Sequence, residues 1–531
     1  MNDDAKLSID EVLDLATLTR RAASRWGSRT ALVFDEYDLR LSFEDIDRLS
    51  NQYANALRDL GVAPGDRVAL MLRNRPEFPL AWLGIVKAGG VMVPLNVYYK
   101  PLDAGYLIDH GGVGTVICEH DLADVVAKAA PKLLKTDRLF TVGGAQNKFT
   151  DTVASASRTC PDVQVLPESL ANIQYTSGTT GRPKGCMLSN EWFARFAWRV
   201  AGAQHGLSET DVLLTGQPFY YVDPQWNVAL SLLVGACLVV LDRFHPSSFW
   251  SKIQRHQVTW FYCLGVMPKL LLKTPRDETE RTHQVRWVAC SGIPARDHAD
   301  IEQRWGVPWY EVFGMTESGL DVTVSPEEHD ALVGSGCIGR ALPTREVRVV
   351  AADGRAAARN ETGELAMRGC GLMDGYYRDA KATAETFRNG WLHTGDLARM
   401  DESGLVYFMG RKKDMIRRSG ENIASAEVEE VITQHSSVRL AACVPVEDDL
   451  RGEEVKVYLV LADGETAEDI PPAQLAEFCG ERIAYFKVPR YWCYVTDLPR
   501  TPSERVIKSE LTQGCDDLRI GAFDRVDGCW R

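Results

Sequence analysis

The sequence predicts an α/β fold: a large N-terminal domain of parallel α/β subdomains with a β-rich subdomain, followed by a small α+β C-terminal domain. Three observations predict it. Over the first 400 residues, helical patterns alternate with short apolar runs, the rhythm of largely parallel sheets. From about Gly336 the pattern turns to short strands with glycine turns, as at Gly363-Glu364-Leu365 and Ser403-Gly404. A polar break at Gly410-Arg411-Lys412-Lys413-Asp414-Met415-Ile416 then precedes a compact mixture of helix and strand. That break puts the boundary near residues 410–413 and the domains at 1–410 and 411–531.

The elements follow in order. Glu44 to Leu60 carries Ile46, Leu49, Tyr53, Leu57 and Leu60 at three- and four-residue steps, which predicts an amphipathic helix. Gly61 and Pro64-Gly65 end it. Arg67 to Leu72 reads as a buried strand, Pro79 to Lys87 as a helix, and Val91 to Leu95 and Thr115 to Glu119 as strands. Cys237 to Asp242, Trp260 to Leu264 and Arg286 to Ser291 continue the series. The longest apolar stretch, Val228 to Leu241, has 14 residues and contains Ser231 and Gly235. A bilayer span needs about 20 apolar residues, so this stretch reads as buried core and no membrane span is expected. Past the boundary, Ala426 to Thr433 and Ala473 to Cys479 read as helices, Arg439 to Val446 and Val455 to Leu461 as strands. The acidic tail from Gln513 to Arg531 is compatible with packing or with fraying.

Composition narrows the class. The 531 residues are 45% hydrophobic and 25% charged, the balance of a globular protein long enough for several cores. Sixty Lys+Arg against 73 Asp+Glu give −13, which disfavours a nucleic-acid binder but leaves room for an anion held by a few local cations and N–H groups. The first residues lack a basic segment followed by an apolar core, so a secretory signal is not expected. Thirteen scattered cysteines with no CxxC pair fit a reducing, cytoplasmic setting. Ten histidines without HExxH-type spacing do not predict structural zinc.

The most informative stretch is residues 175–185, Tyr-Thr-Ser-Gly-Thr-Thr-Gly-Arg-Pro-Lys-Gly. Glycines let backbone N–H groups turn toward an anion, Ser177, Thr179 and Thr180 add hydroxyl donors, and Lys184 adds a charge. It is not a Walker A loop; the plain alternative is a flexible surface loop. The segment resembles the phosphate loop of the acyl-adenylate-forming superfamily of acyl-CoA synthetases, adenylation domains and luciferase-like enzymes. Tyr310-Glu311-Val312-Phe313-Gly314-Met315-Thr316-Glu317 resembles that superfamily's adenine and metal motif. Gly363-Glu364-Leu365 with Gly375-Tyr376 resembles its β-rich signature, and Leu392-His393-Thr394-Gly395-Asp396 its ribose motif. Gly410-Arg411-Lys412-Lys413-Asp414, then Ser419-Gly420-Glu421-Asn422-Ile423, resembles its hinge. The resemblance runs from about residue 20 to residue 510.

The resemblance implies two half-reactions. A carboxylate attacks the α-phosphate of Mg-ATP to give acyl-AMP and pyrophosphate; a thiol, usually that of CoA, then displaces AMP. Thr176, Ser177, Gly178, Thr179, Thr180 and Lys184 would hold the β- and γ-phosphates, and Thr316 the α-phosphate. Glu317 would bind Mg²⁺, a hard ion that takes oxygen ligands. Tyr310 would lie against adenine with Gly292 and Glu311 nearby; Asp396 would accept from the ribose hydroxyls and Arg411 would donate to the ribose. Lys413 would be the hinge about which a mobile C-terminal domain turns. Gly420 would border the pantetheine tunnel, or serve only as a turn glycine.

Two places depart from the superfamily. Glu504-Arg505 stands where relatives carry Gly-Lys, so the catalytic cation would be Arg505, with Lys508 as the alternative. Pro218-Phe219-Tyr220-Tyr221 replaces Pro-Leu-Phe-His and runs on into Asp223 and Trp226. With Gly314 and Met315, these residues would line the acid pocket. Tyr220, Tyr221, Asp223 and Trp226 would cage a cationic acid through ring faces and a carboxylate, as in carnitine-type CoA ligases, or form an Asp-Pro turn with buried aromatics. The leading reading is an ATP-dependent acyl- or aryl-CoA ligase. A carrier-protein or amine acceptor, an unusual oxyanion such as nitrite, and a silent nucleotide binder stand as alternatives. Neither the acid nor the oligomeric state, monomer or homodimer, follows from the sequence.

Overall fold

The computed structural model describes residues 13–144, 148–176, 182–264, 266–293, 295–351, 353–411, 415–499, 506 and 508–531. The chain is a mixed α/β protein that divides into two compact units. The first comprises residues up to Val97, Ile108–Tyr175 and Gly185–Gly410; the second Tyr98–Leu107, Thr176–Lys184 and Arg411–Arg531.

In the first unit the helical periodicity is realised almost to the residue. The helix Phe43–Asp59 starts at Ser42, which forms a capping box with Asp45, and buries Phe43, Ile46, Tyr53 and Leu57. One sheet has the order Leu139–Val142, Val113–Glu119, Arg67–Met71, Val91–Pro94, Leu170–Thr176, Lys184–Ser189. Its first five strands pair in parallel. The apolar stretch Val228 to Leu241 is two elements: the helix Val222–Val234 ends on Gly235 in the left-handed region, and the strand Cys237–Val240 follows. A second, longer sheet runs in parallel from Thr30–Phe34 through Cys237–Val240, Val212–Thr215, Trp260–Leu264 and Trp287–Ser291 to Trp309–Met315. There it becomes antiparallel, passing through Gly319–Thr323 and Cys337–Ala341 into the β-rich part that ends on Gly363–Gly369 and Arg345–Val350. The parallel-to-antiparallel change is where the candidate site lies.

The second unit is built on the hairpin of Val438–Asp448 and Gly452–Leu461. The helices Ser425–Ile432 and Pro472–Gly480 contribute to a core that includes Val428, Ile432, Leu475 and Trp492. The tail packs. Phe523–Asp524 pairs with Tyr491–Tyr494, Cys529–Trp530 adds one more strand, and the fully buried Asp524 carboxylate takes Arg490 at 3.0 and 3.1 Å and Arg531 at 2.8 Å. Among the described residues no helix is long and apolar enough to cross a membrane.

Candidate active site

The strands Trp309–Met315 and Gly319–Thr323 form a hairpin whose tip is Thr316-Glu317-Ser318. A register shift between Phe313 and Gly314 marks a β-bulge. The two strands come so close there that a Cβ on Gly314 would sit 2.2 Å from the Gly319 carbonyl oxygen, so glycine is required. The bulge leaves Gly314 exposed, Met315 and Thr316 half-buried, and Glu317 only 8% exposed.

Glu317 is held at both ends. Its Oε1 accepts from the Tyr376 hydroxyl at 3.0 Å, and its carbonyl accepts from the Met373 N–H at 2.8 Å. Burial, then the charge of Glu317, pushes the Tyr376 hydroxyl far above its ordinary value, so Tyr376 stays a donor. The segment carrying Tyr376 also pairs with the strand that leaves the Gly/Ser/Thr loop: Met187 N–H to Gly375 O at 2.9 Å, Tyr377 N–H to Gly185 O at 2.8 Å. Loop exit, Tyr376 and Glu317 thus share one hydrogen-bonded layer. Thr176 ends one strand and Lys184 begins its sheet neighbour. Ser177, Gly178, Thr179 and Thr180 lie outside the described residues, as do Lys413 and Arg505; nothing is described of the Arg411 side chain.

Glu311 braces the turn after Trp287–Ser291. Its two carboxylate oxygens accept from Gly292 N–H at 2.6 Å and Ile293 N–H at 2.7 Å. Burial lifts its carboxyl to about 8 against the pull of those two N–H bonds. Tyr310 is not brought to this group. Side chains alternate along a strand, and Tyr310 points the other way: its hydroxyl meets His205 Nε2 at 2.8 Å and its ring lies 4.5 Å from His329. Phe313, two residues beyond Glu311 and half-buried, shares the Glu311 face.

Asp396 is placed by a bulge in the strand Trp391–Met400. Ala366 pairs with His393 but Glu364 with Leu397, so Thr394-Gly395-Asp396 leaves the ladder. The Thr394 hydroxyl donates to Leu365 O at 2.9 Å and accepts from the Asp396 N–H at 3.0 Å, fixing a carboxylate 4% exposed. In the second unit, Ser419 and Gly420, at φ +52° and +85°, form the two-residue turn between Met415–Arg418 and Glu421–Ala424. Lys508 is engaged inside that unit, 2.7 Å from Glu429 and 2.6 Å from the Ser425 hydroxyl.

Of the predicted acid-pocket residues, Tyr220, Tyr221, Asp223 and Trp226 gather on the helix Val222–Val234 and the turn before it, while Gly314 and Met315 end the strand Trp309–Met315. Tyr220 and Tyr221 meet edge-on at 4.9 Å, and Asn96 Nδ2 reaches the Tyr221 hydroxyl at 3.4 Å. Trp226 stacks on Phe196 at 4.8 Å, meets Tyr262 at 5.5 Å, and directs its indole N–H at Asp223 Oδ1, 3.4 Å away. Tyr262 was not anticipated; its hydroxyl donates to Ser291, next to Gly292, and so joins this pocket to the Glu311 turn. Burial lifts the Asp223 carboxyl to about 6, with Trp226 opposing.

Comparison with known proteins identifies the family. The family model "AMP-binding enzyme" matches residues 19–377, and "AMP-binding enzyme C-terminal domain" matches 427–505. A crotonobetaine/carnitine–CoA ligase of Salmonella typhimurium is 30% identical over 506 residues, 92% of this chain and 97% of the relative. Among solved structures, an o-succinylbenzoate CoA synthetase from Bacillus subtilis aligns with TM-score 0.83 and 26% identity, over 94% of this chain and 98% of that one. An amide bond synthetase from Marinactinospora thermotolerans aligns with TM-score 0.82 and 26% identity, over 94% and 99%. The chain therefore belongs to the AMP-binding enzymes, the acyl-adenylate-forming superfamily, and is an AMP-forming acid–thiol ligase.

Proposed function

We propose that this protein condenses a carboxylic acid with CoA through an acyl-adenylate. The observation that carries the reading is the layer joining Glu317, Tyr376 and the strand that leaves the Gly/Ser/Thr loop. It ties a buried carboxylate to the strand that follows a segment whose sequence suits phosphate. In the first step a carboxylate oxygen bonds to the α-phosphorus, the α–β P–O bond breaks, and pyrophosphate leaves. In the second, the CoA sulfur bonds to the acyl carbon, AMP leaves with the electron pair, and the thiol proton goes to solvent. Two anions must meet in the first step, so the residues' task is to neutralise and align.

Thr176, Ser177, Gly178, Thr179, Thr180 and Lys184 take the outer phosphates in this reading, and Thr316 the α-phosphate. Asp396 accepts from the ribose, with Arg411 donating. Glu311 shapes the Gly292 turn that borders the base, and Phe313 rather than Tyr310 lies against adenine. The Glu317 carboxylate is a hard oxygen donor that would fit Mg²⁺; bound there, the ion would neutralise charge on the phosphates. Lys508 is already paired with Glu429, which favours Arg505 as the cation that meets both anions. Lys413 is the hinge, and Gly420 serves the turn that Lys413 precedes.

The acid is a cationic one. Among the described residues no Lys or Arg pairs with Asp223, whose neighbours are the rings of Trp226 and Tyr262. A trimethylammonium or ammonium group would supply the missing charge and lie against ring faces. Crotonobetaine and carnitine, in the relative's name, are quaternary ammonium acids. The test is pyrophosphate release from Mg-ATP over paired cationic and neutral isosteric acids, with and without CoA, for the wild type and Asp223→Asn. Turnover only with CoA, a thioester by mass, and at least tenfold preference for cationic acids lost in Asp223→Asn are expected. Equal rates for both acid classes remove the cationic reading. Turnover with an amine and no CoA moves the acceptor to an amine, as in the amide bond synthetase.

A further inference from the structure

Outside the residues that meet substrate, two arginines converge on one cysteine. Cys370 follows the strand Gly363–Gly369 and is partly open to solvent. Its sulfur lies 3.4 Å from Arg195 Nη1 and 3.6 Å from Arg199 Nη2. Arg199 is 2% exposed, and its Nε and Nη1 find no acceptor among the described residues. Leaving such donors unmet in the interior is costly. Nη1 lies against the next residue, Gly371, where an added Cβ would sit 3.4 Å from it. The site thus offers N–H donors to oxygen atoms that a thiol does not have.

We propose that Cys370 is a peroxide-oxidised modification site whose sulfur oxygens are bound by Arg195 and Arg199. The sulfur electron pair attacks one oxygen of a hydroperoxide, the O–O bond breaks, and an S–O bond forms. Sulfur is oxidised by two electrons to the sulfenic acid, and the second peroxide oxygen leaves as water or alcohol with the displaced proton. A second equivalent gives the sulfinate. A partly exposed sulfur between cations is the setting in which cysteine oxidation is site-selective.

The consequence for the ligase follows from the same bonds. The Cys370 carbonyl accepts from Arg345 Nη1 at 3.1 Å; Arg345 Nη2 donates to Ser318 O at 2.6 Å and its Nε pairs with Asp321. Ser318 is part of the hairpin tip that carries Glu317. Redirecting the guanidinium groups toward a new anion would disturb that tip, so oxidation slows adenylation. This last step rests on the proposed function; the modification itself does not.

The experiment treats the full chain with hydrogen peroxide and dimedone and reads labelling at each cysteine by mass spectrometry. Cys370 is expected to label at least about tenfold faster than the more exposed Cys160, Cys515 and Cys529. Arg195→Gln, checked for folding by its melting curve, is expected to abolish that advantage. Labelling of Cys370 no faster than the three exposed cysteines, or a rate indifferent to Arg195→Gln, overturns the proposal. In parallel, Cys370→Ser should retain pyrophosphate release after a peroxide dose that inactivates the wild type. If Cys370 labels selectively and activity persists, the site stands and its link to the hairpin falls.

Discussion

At the scale of single residues, the site depends on side chains that carry no chemistry themselves. The Tyr376 hydroxyl directs one oxygen of Glu317. Tyr376→Phe removes one charge-assisted hydrogen bond, worth about 1.5 kcal/mol. Its expected effect is a roughly tenfold rise in the Mg²⁺ concentration for half-maximal pyrophosphate release, with the KM of the acid unchanged. An unaltered Mg²⁺ requirement would deny Tyr376 a positioning role. Glu317, Asp396 and Glu311 could be proposed from the sequence because each lies in a contiguous motif. The Tyr376–Glu317 bond could not, because 59 residues separate its partners. Tyr310 illustrates a signal that was present and unused: strand alternation already puts Phe313, not Tyr310, on the Glu311 face.

At the scale of elements, periodicity served well where one face is buried. Glu44–Leu60 was predicted and Phe43–Asp59 is found, the two differing by one residue at each end. Within the apolar stretch Val228 to Leu241, the strand from Cys237 was predicted but the helix ahead of it was not, because a buried helix and a buried strand are both uniformly apolar; Gly235 and Ala236 separate the two. The tail was undecided because its strands are two residues long and their anchor, Asp524 to Arg490, spans 34 residues. That anchor makes a pH prediction. Burial raises the Asp524 carboxyl, but Arg490, Arg531 and the N–H groups of Val526 and Asp527 outweigh it and hold it well below the ordinary carboxylate range. With the folded value depressed, the stability it contributes is present above pH 4 and is lost as pH falls through the folded value. Asp524→Asn is expected to cost about 3 kcal/mol at pH 7, measured by denaturant unfolding, and the penalty should shrink below pH 4. A cost independent of pH would mean that the tail is held by its apolar contacts alone.

At the scale of the whole molecule, the sequence order and the spatial order of the long sheet disagree. The strand Thr30–Phe34 pairs in parallel with Cys237–Val240, roughly two hundred residues later, and Trp26 rests against Gly235. The helix Leu15–Trp26 is tied to the same region, where Leu15 N–H bonds to Asn190 Oδ1 at 3.1 Å. Helices and strands that pair with near neighbours were easy to read; this long-range pairing has no local signature. It also has a consequence on the ribosome. At about 5–20 residues per second, the strand Thr30–Phe34, already paired with Leu39–Ser42, waits about 10–40 s for its second partner Cys237–Val240, and the helix Leu15–Trp26 waits as long for the helix Val222–Val234. A nascent chain arrested at residue 230 should therefore be cut by trypsin at Arg20, Arg21, Arg25 and Arg29, whereas one arrested near residue 400 should resist. Equal protection of both would mean that this segment finds a temporary cover during synthesis.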